Sequence, residues 1–131
     1  MGADGHVQMI PVGRIPEQFA DLDPTRLNWS RRDLYGTEVW WSYWDTEGRG
    51  ELWDVEFWEV PRRIENLQEE LRRRDAGEPA RYERGRSSDL LNADLQRLGN
   101  NHTAEQLAEA TRYDELHAWL EANADDWQVW T

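Results

Sequence analysis

Thr37-Glu38-Val39-Trp40-Trp41-Ser42-Tyr43-Trp44 and Glu51-Leu52-Trp53-Asp54-Val55-Glu56-Phe57-Trp58-Glu59-Val60 are the segments richest in aromatic and β-branched side chains. Such residues favour extended backbone. Between them Asp45-Thr46-Glu47-Gly48-Arg49-Gly50 supplies turn-forming types, two of them glycine. The pattern predicts an antiparallel β-hairpin. Side chains alternate between faces with a period of two. Val39, Trp41 and Tyr43 then share one face, as do Trp53, Val55 and Phe57. The opposite faces carry Trp40 and Trp44 on one strand and Leu52, Trp58 and Val60 on the other. A hairpin apolar on both sides needs two covers. Helices of the same chain supply one; a second helix layer, a partner or a ligand must supply the other.

Working outward, the downstream sequence reads as helices. Pro61 marks a strand end and a helix start, and Ile64, Leu67 and Leu71 follow helical spacing. Glu69 with Arg73 and Glu70 with Arg74 are i,i+4 pairs in the favourable order. Asp75-Ala76-Gly77-Glu78-Pro79 should stop this helix, and residues 76–88 read as an internal loop. Ser87 or Ser88 caps the next helix, with Leu90, Leu91, Leu95 and Leu98 inward. Thr103 and Gln106 form a capping box. The helix they start either continues or is restarted by Thr111 with Asp114; Leu116, Trp119 and Leu120 are its apolar stripe. Upstream, Val7 to Val12 is a short strand after a flexible start at 1–6. Pro16 opens a short helix bearing Phe19 and Leu22. Ser30 and Asp33 have capping spacing for a turn ended by Gly36. Trp127, Val129 and Trp130 permit a terminal strand. The expected fold is α+β: the aromatic hairpin, extended by terminal strands, packed against three or four helices in one domain over residues 1–131.

Composition narrows the chemistry. The chain carries 15 basic and 27 acidic residues, a net charge of −12, with no cysteine. Every basic residue is arginine. Without lysine there is no Schiff base and no P-loop lysine. Without cysteine there is no thiol nucleophile, disulfide or cysteine zinc site. Leu, Ile, Val and Phe total 24 of 131 residues, about 18%, under the roughly 20% that signals disorder in highly charged chains. Nine Trp and four Tyr reverse that reading, since each offers on the order of 150–250 Å² of area to bury. No apolar run reaches the roughly 20 residues of a membrane span. The first residues lack the pattern of a secretory signal, so a cytoplasmic protein is expected.

The lysine-free acidic composition resembles that of proteins from salt-in halophiles, haloarchaea above all. At high salt the Debye length shrinks to about 3 Å, so crowded carboxylates cease to repel while still holding water. GC bias with ordinary acidity and nucleic-acid mimicry are the competing explanations. The charge is also uneven. Residues 1–60 hold 12 acids and five Arg, residues 61–86 six acids and eight Arg, and residues 87–131 nine acids and two Arg.

Four constellations were weighed. The tryptophan cluster, six residues between Trp29 and Trp58, is read first as core and second as an interface. Trp40, Trp44 and Trp58 are the interface candidates, since they lie opposite Trp53, Val55 and Phe57. Arg72, Arg73, Arg74, Arg81, Arg84 and Arg86 are candidates for an anion or an acidic partner, against the plainer reading of a solvated helix pairing with its own acids. Asp114, His117 and Glu121 share a helix face and are a weak metal constellation. Gly85-Arg86-Ser87-Ser88-Asp89 is not a nucleophile elbow. No catalytic residue, metal or cofactor is assigned. The expected role is a non-catalytic interaction or adaptor protein that self-associates or binds a protein partner. A small regulatory or nucleic-acid-associated protein using residues 62–86 is the alternative, and an enzyme comes third.

Overall fold

The computed structural model describes residues 4–45 and 56–130, and only the backbone at 4, 44, 45 and 127–130. It is α+β. Among the described residues four antiparallel strands, β1 (Asp4–Pro11), β2 (Ser30–Leu34), β3 (Thr37–Asp45) and β4 (Asp125–Trp130), form one sheet in the order β2-β3-β1-β4. Three α-helices are also described: α1 (Val60–Asp75), α2 (Ser88–Asn100) and α3 (Ala104–Asn123). The chain groups into two compact units, Met1–Trp53 with Glu115–Thr131, and Asp54–Asp114. Among the described residues no helix is long and apolar enough to cross a membrane.

The first unit is built on the sheet. The aromatic strand β3 does form, but its hairpin partner precedes it. β2 and β3 are joined by Tyr35 and Gly36, with φ of 53° and 87°. Positive φ at both loop residues is the type I′ turn, whose twist matches that of the flanking strands. Gly36 suits its place because it has no Cβ. The Asp33 carboxylate accepts the Gly36 N–H at 2.8 Å, so it serves a hairpin turn rather than the expected helical one. β1 begins at Asp4, so residues 4–6, expected to be flexible, are already paired with β3 and β4. Short 3-10 turns at Val12–Arg14, Glu17–Phe19 and Pro24–Leu27 link β1 to β2. Asp23 caps the last of these, accepting from the Thr25 N–H at 3.0 Å and its hydroxyl at 2.8 Å. Those bonds favour the ionised carboxylate and hold its pKa below the ordinary value. Ile10, Phe19, Leu22, Leu27, Trp29, Val39, Trp40, Leu116 and Leu120 are this unit's buried apolar residues.

The predicted second strand, Glu51–Val60, is corrected where it is described. Phe57–Glu59 is a 3-10 turn and Val60 opens α1, with Pro61 in the first turn. A proline there loses no helical hydrogen bond. The turn carries Phe57 edge-on to Trp58 and to Tyr113, each at 5.4 Å between ring centroids, a contact that period-two geometry would not give to neighbours 57 and 58. Residues 51–55, with Trp53 and Val55, and the loop 46–50 lie outside the described residues.

The second unit is a helical cluster. Val60, Leu67, Leu91 and Leu98 form its buried centre, with Ile64, Leu71, Leu95 and Leu107 packed around them. Burying a leucine such as Leu67, fully enclosed, contributes roughly 1.5–3 kcal/mol. α1 ends in a Schellman motif: Glu78 N–H donates to the Arg73 carbonyl at 2.8 Å and Gly77 N–H to that of Arg74 at 3.1 Å, with Gly77 at φ 72°. Ser87 caps α2 through the Leu90 N–H. Thr103 and Gln106 make the reciprocal capping box of α3. α3 runs on through Thr111, whose hydroxyl donates to the Leu107 carbonyl at 2.9 Å, so no second helix starts there.

Candidate functional site

Strand register separates the sheet's two faces. Ile10 pairs with Trp40 and Gln8 with Ser42 on one side; Met9 pairs with Trp41 and Val7 with Tyr43 on the other. The first side is the more closed: Ile10, Gln8 and Trp40 are buried, and His6 and Ser42 half-buried. On the second Val39 is buried, Val7, Met9 and Trp41 are half-buried and Tyr43 is 45% exposed. The Tyr43 ring lies over Gly5, where a Cβ would come within 2.6 Å of its hydroxyl. The Arg32 guanidinium sits 4.0 Å above the Trp41 ring, a cation–π contact. An apolar patch therefore continues across β1 and β3, with a cation at one side.

Of the three tryptophans singled out from the sequence, Trp40 and Trp58 are buried, at 4% and 5% exposure. They share no strand face, because Trp58 stands in the 3-10 turn of the second unit. The side chain of Trp44 lies outside the description. Period two sorted β3 correctly; the side left open is the one bearing Trp41 and Tyr43. Sequence could not rank the two faces, since both are aromatic.

The arginine-rich segment is engaged with the chain's own acids. Arg72 binds both oxygens of Glu69, at 2.8 and 2.7 Å, and reaches Glu78 at 3.2 Å. The Glu69 carboxyl is lowered in pKa and the Arg72 guanidinium raised, each chiefly by their shared hydrogen bond. Arg73 contacts Glu78 and the Pro79 carbonyl. Arg74 donates to the Glu83 carbonyl at 2.8 Å and to Ser88 at 3.2 Å. Arg86 bridges Glu83 and Asp94, and its pKa is raised chiefly by the Asp94 bond. Arg63 pairs with Glu83. Arg81 stacks on Tyr82 at 5.3 Å, and Arg84 is exposed.

At the centre of this net stands Glu70, fully enclosed. Its Oε2 accepts the backbone N–H groups of Tyr82 and Arg81, each at 3.0 Å. These two bonds, Tyr82's first, hold its carboxyl below the ordinary value against the opposing effect of burial. Oε1 faces Arg74 Nε at 3.7 Å. The loop between α1 and α2 is thus fastened to α1 by a buried carboxylate, a fastening that an i,i+4 pattern alone does not disclose.

The metal constellation does not assemble. Asp114 is paired with Arg62, and His117 Nε2 meets Glu121 at 3.5 Å. Among the described residues no group of three or more His, Asp or Glu could hold a metal ion. His6, expected to be mobile, contacts Asp126 at 3.3 Å. His102 donates from Nδ1 to the Leu98 carbonyl at 2.7 Å. A shallow pocket of about 180 Å³ lined by Glu59, Arg62, Arg63 and Asn66 is small beside the roughly 300–1,000 Å³ of ordinary ligand sites. Comparison with protein families, with curated proteins and with solved structures finds no match.

Proposed function

We propose that this is a non-catalytic interaction protein of a salt-rich cytoplasm, self-associating through the open face of its sheet. The observation that carries the reading is the half-exposed patch of Val7, Met9, Trp41 and Tyr43 beside a more closed opposite face. Contiguous exposed apolar area on a small domain marks association sites, and Trp, Tyr and Arg are the residue types that dominate interface energetics. The acidic composition fits the same setting, because strong salt screens repulsion between copies while strengthening apolar contact. This moves the interface candidates from Trp40, Trp44 and Trp58 to Trp41 and Tyr43. Use of the 62–86 arginines on a polyanion has less support, since Arg72, Arg73, Arg74 and Arg86 are already held by carboxylates.

Sedimentation velocity in a KCl series tests the proposal. Wild-type protein should sediment as an assembly whose dissociation constant tightens with salt. The double variant Trp41→Glu, Tyr43→Glu should remain monomeric at every salt concentration. Assembly of that variant with wild-type affinity would refute the use of this face.

A further inference from the structure

The edge strand β2 carries two adjacent arginines outside the ion-pair net. Ser30, Arg31, Arg32 and Asp33 are all exposed. Most described arginines close on carboxylates, among them Arg14, Arg62, Arg63, Arg72, Arg73, Arg74, Arg86 and Arg97, while Arg81 rests on Tyr82 and Arg84 is exposed. Among the described residues neither Arg31 nor Arg32 has a carboxylate within ion-pair distance. Asp23 is close enough to feel Arg31, but its carboxylate is already bonded to Thr25. In a chain of net charge −12, two adjacent exposed arginines on one edge strand concentrate positive charge beside an open backbone.

The backbone of the same strand is open. Among the described residues β2 is hydrogen-bonded on one side only, to β3. The two-residue loop makes Leu34 and Thr37 the hydrogen-bonded closing pair. Alternation along an antiparallel ladder then turns the N–H and C=O groups of Arg31 and Asp33 outward. Arg32 is held in place over Trp41 at 4.0 Å. At the turn end of the edge, Tyr35 is fully exposed in a left-handed conformation at φ 53°. Asn or Gly would occupy that position with less strain, so a tyrosine presented there is well suited to contact a partner.

We infer that β2 is a docking edge for an acidic extended segment of a partner protein, which adds to the sheet as a fifth strand. The inference deepens the interaction reading above and rests on it, while using the outer edge of β2, which shares only Arg32 with the sheet face. Main-chain bonds to Arg31 and Asp33 supply strand addition. Arg31 and Arg32 leave the strand on opposite faces, so the matching segment carries two consecutive acidic residues. Tyr35 packs on the residues that pass the turn. Charged residues also guard edge strands against unwanted pairing, and that simpler role predicts no binding of any peptide.

The probe is a fluorescein-labelled peptide, Gly-Thr-Val-Glu-Asp-Val-Thr-Gly, titrated with the full chain and followed by fluorescence anisotropy. The expected result is saturable binding with Kd below about 100 μM, weakened by added KCl. Arg31→Glu should weaken it about tenfold. Replacing Glu-Asp by Arg-Arg, or N-methylating alternate peptide amides, should abolish it. Absence of saturable binding overturns the proposal. So does equal affinity of the N-methylated peptide, or wild-type affinity of Arg31→Glu. Far-UV circular dichroism checks the fold of that variant, with Arg31→Gln as the milder substitution should it misfold. Tyr43→Glu should abolish self-association and leave peptide binding intact, whereas Arg31→Glu should weaken peptide binding and leave self-association intact, so failure of either reading is told from failure of the other.

Discussion

Replacing Tyr35 by Asn should stabilise the protein. Tyr35 occupies the first loop position of the type I′ turn at φ 53°, with Gly36 at 87°. A left-handed conformation costs an ordinary L-residue roughly 1–2 kcal/mol, and Asn much less, because its short polar side chain bonds locally. The substitution removes nothing in compensation: the Tyr35 ring is fully exposed, at 105%. The net gain is therefore about 1 kcal/mol. For a chain of this size that corresponds to an increase in Tm of about 3–5 °C. Thermal unfolding followed by circular dichroism at fixed KCl reads it directly. Gly36→Ala should act in the opposite sense, since it places a Cβ at φ 87°. If Tyr35→Asn leaves Tm unchanged or lowers it, either the turn is not type I′ or the tyrosine makes a stabilising contact, and the strain argument fails. If the edge proposal holds, the stabilised variant should bind the acidic peptide less well.

Three further outcomes follow from the packing and the charge. Leu67→Ala, at a fully enclosed position in the helical unit, should cost about 2–5 kcal/mol in denaturant unfolding. Glu70 has a folded-state pKa below the ordinary glutamate value of 4.5, so its contribution is fully present above 4.5 and is lost as the pH falls through the lower folded value. Glu70→Gln should therefore flatten the acid limb of the stability curve and speed hydrogen exchange at the Arg81 and Tyr82 amides. Unchanged exchange there would show that the loop is held by other means. Tm should rise with KCl, because screening relieves carboxylate repulsion; a salt-independent Tm would contradict salt adaptation.

The helices were legible in sequence where local signals agree with the tertiary packing; Leu90, expected to face inward on α2, is instead 54% exposed, because the stripe through Leu91, Leu95 and Leu98 faces the core. Leu67 and Leu71 fall on one stripe, Gly77 terminates α1, and Thr103 with Gln106 caps α3. The partner of β3 was not legible. Ser30-Arg31-Arg32-Asp33-Leu34 is too polar to read as a strand, and it becomes one because the Tyr35–Gly36 turn folds it back onto a strand that supplies the apolar side. Phe57-Trp58-Glu59 has strand composition, but Pro61 and the helical core beyond it draw the segment into a turn. At the site, period two identified the two aromatic faces of β3. It could not tell which one stays open, because that depends on residues distant in sequence, among them Ile10 on β1. Pairing on α1 was legible for Glu70 with Arg74, but Glu69 binds Arg72 rather than Arg73, which reaches Glu78, and the burial of Glu70 beneath the loop amides depends on the path of residues 79–82.

Self-association is read from the mass of the unmodified protein in solution. One chain weighs 15.6 kDa. Multi-angle light scattering in strong KCl should return an integral multiple of that mass at micromolar concentration, falling toward 15.6 kDa on dilution. A mass of 15.6 kDa at every concentration and salt level would contradict the account.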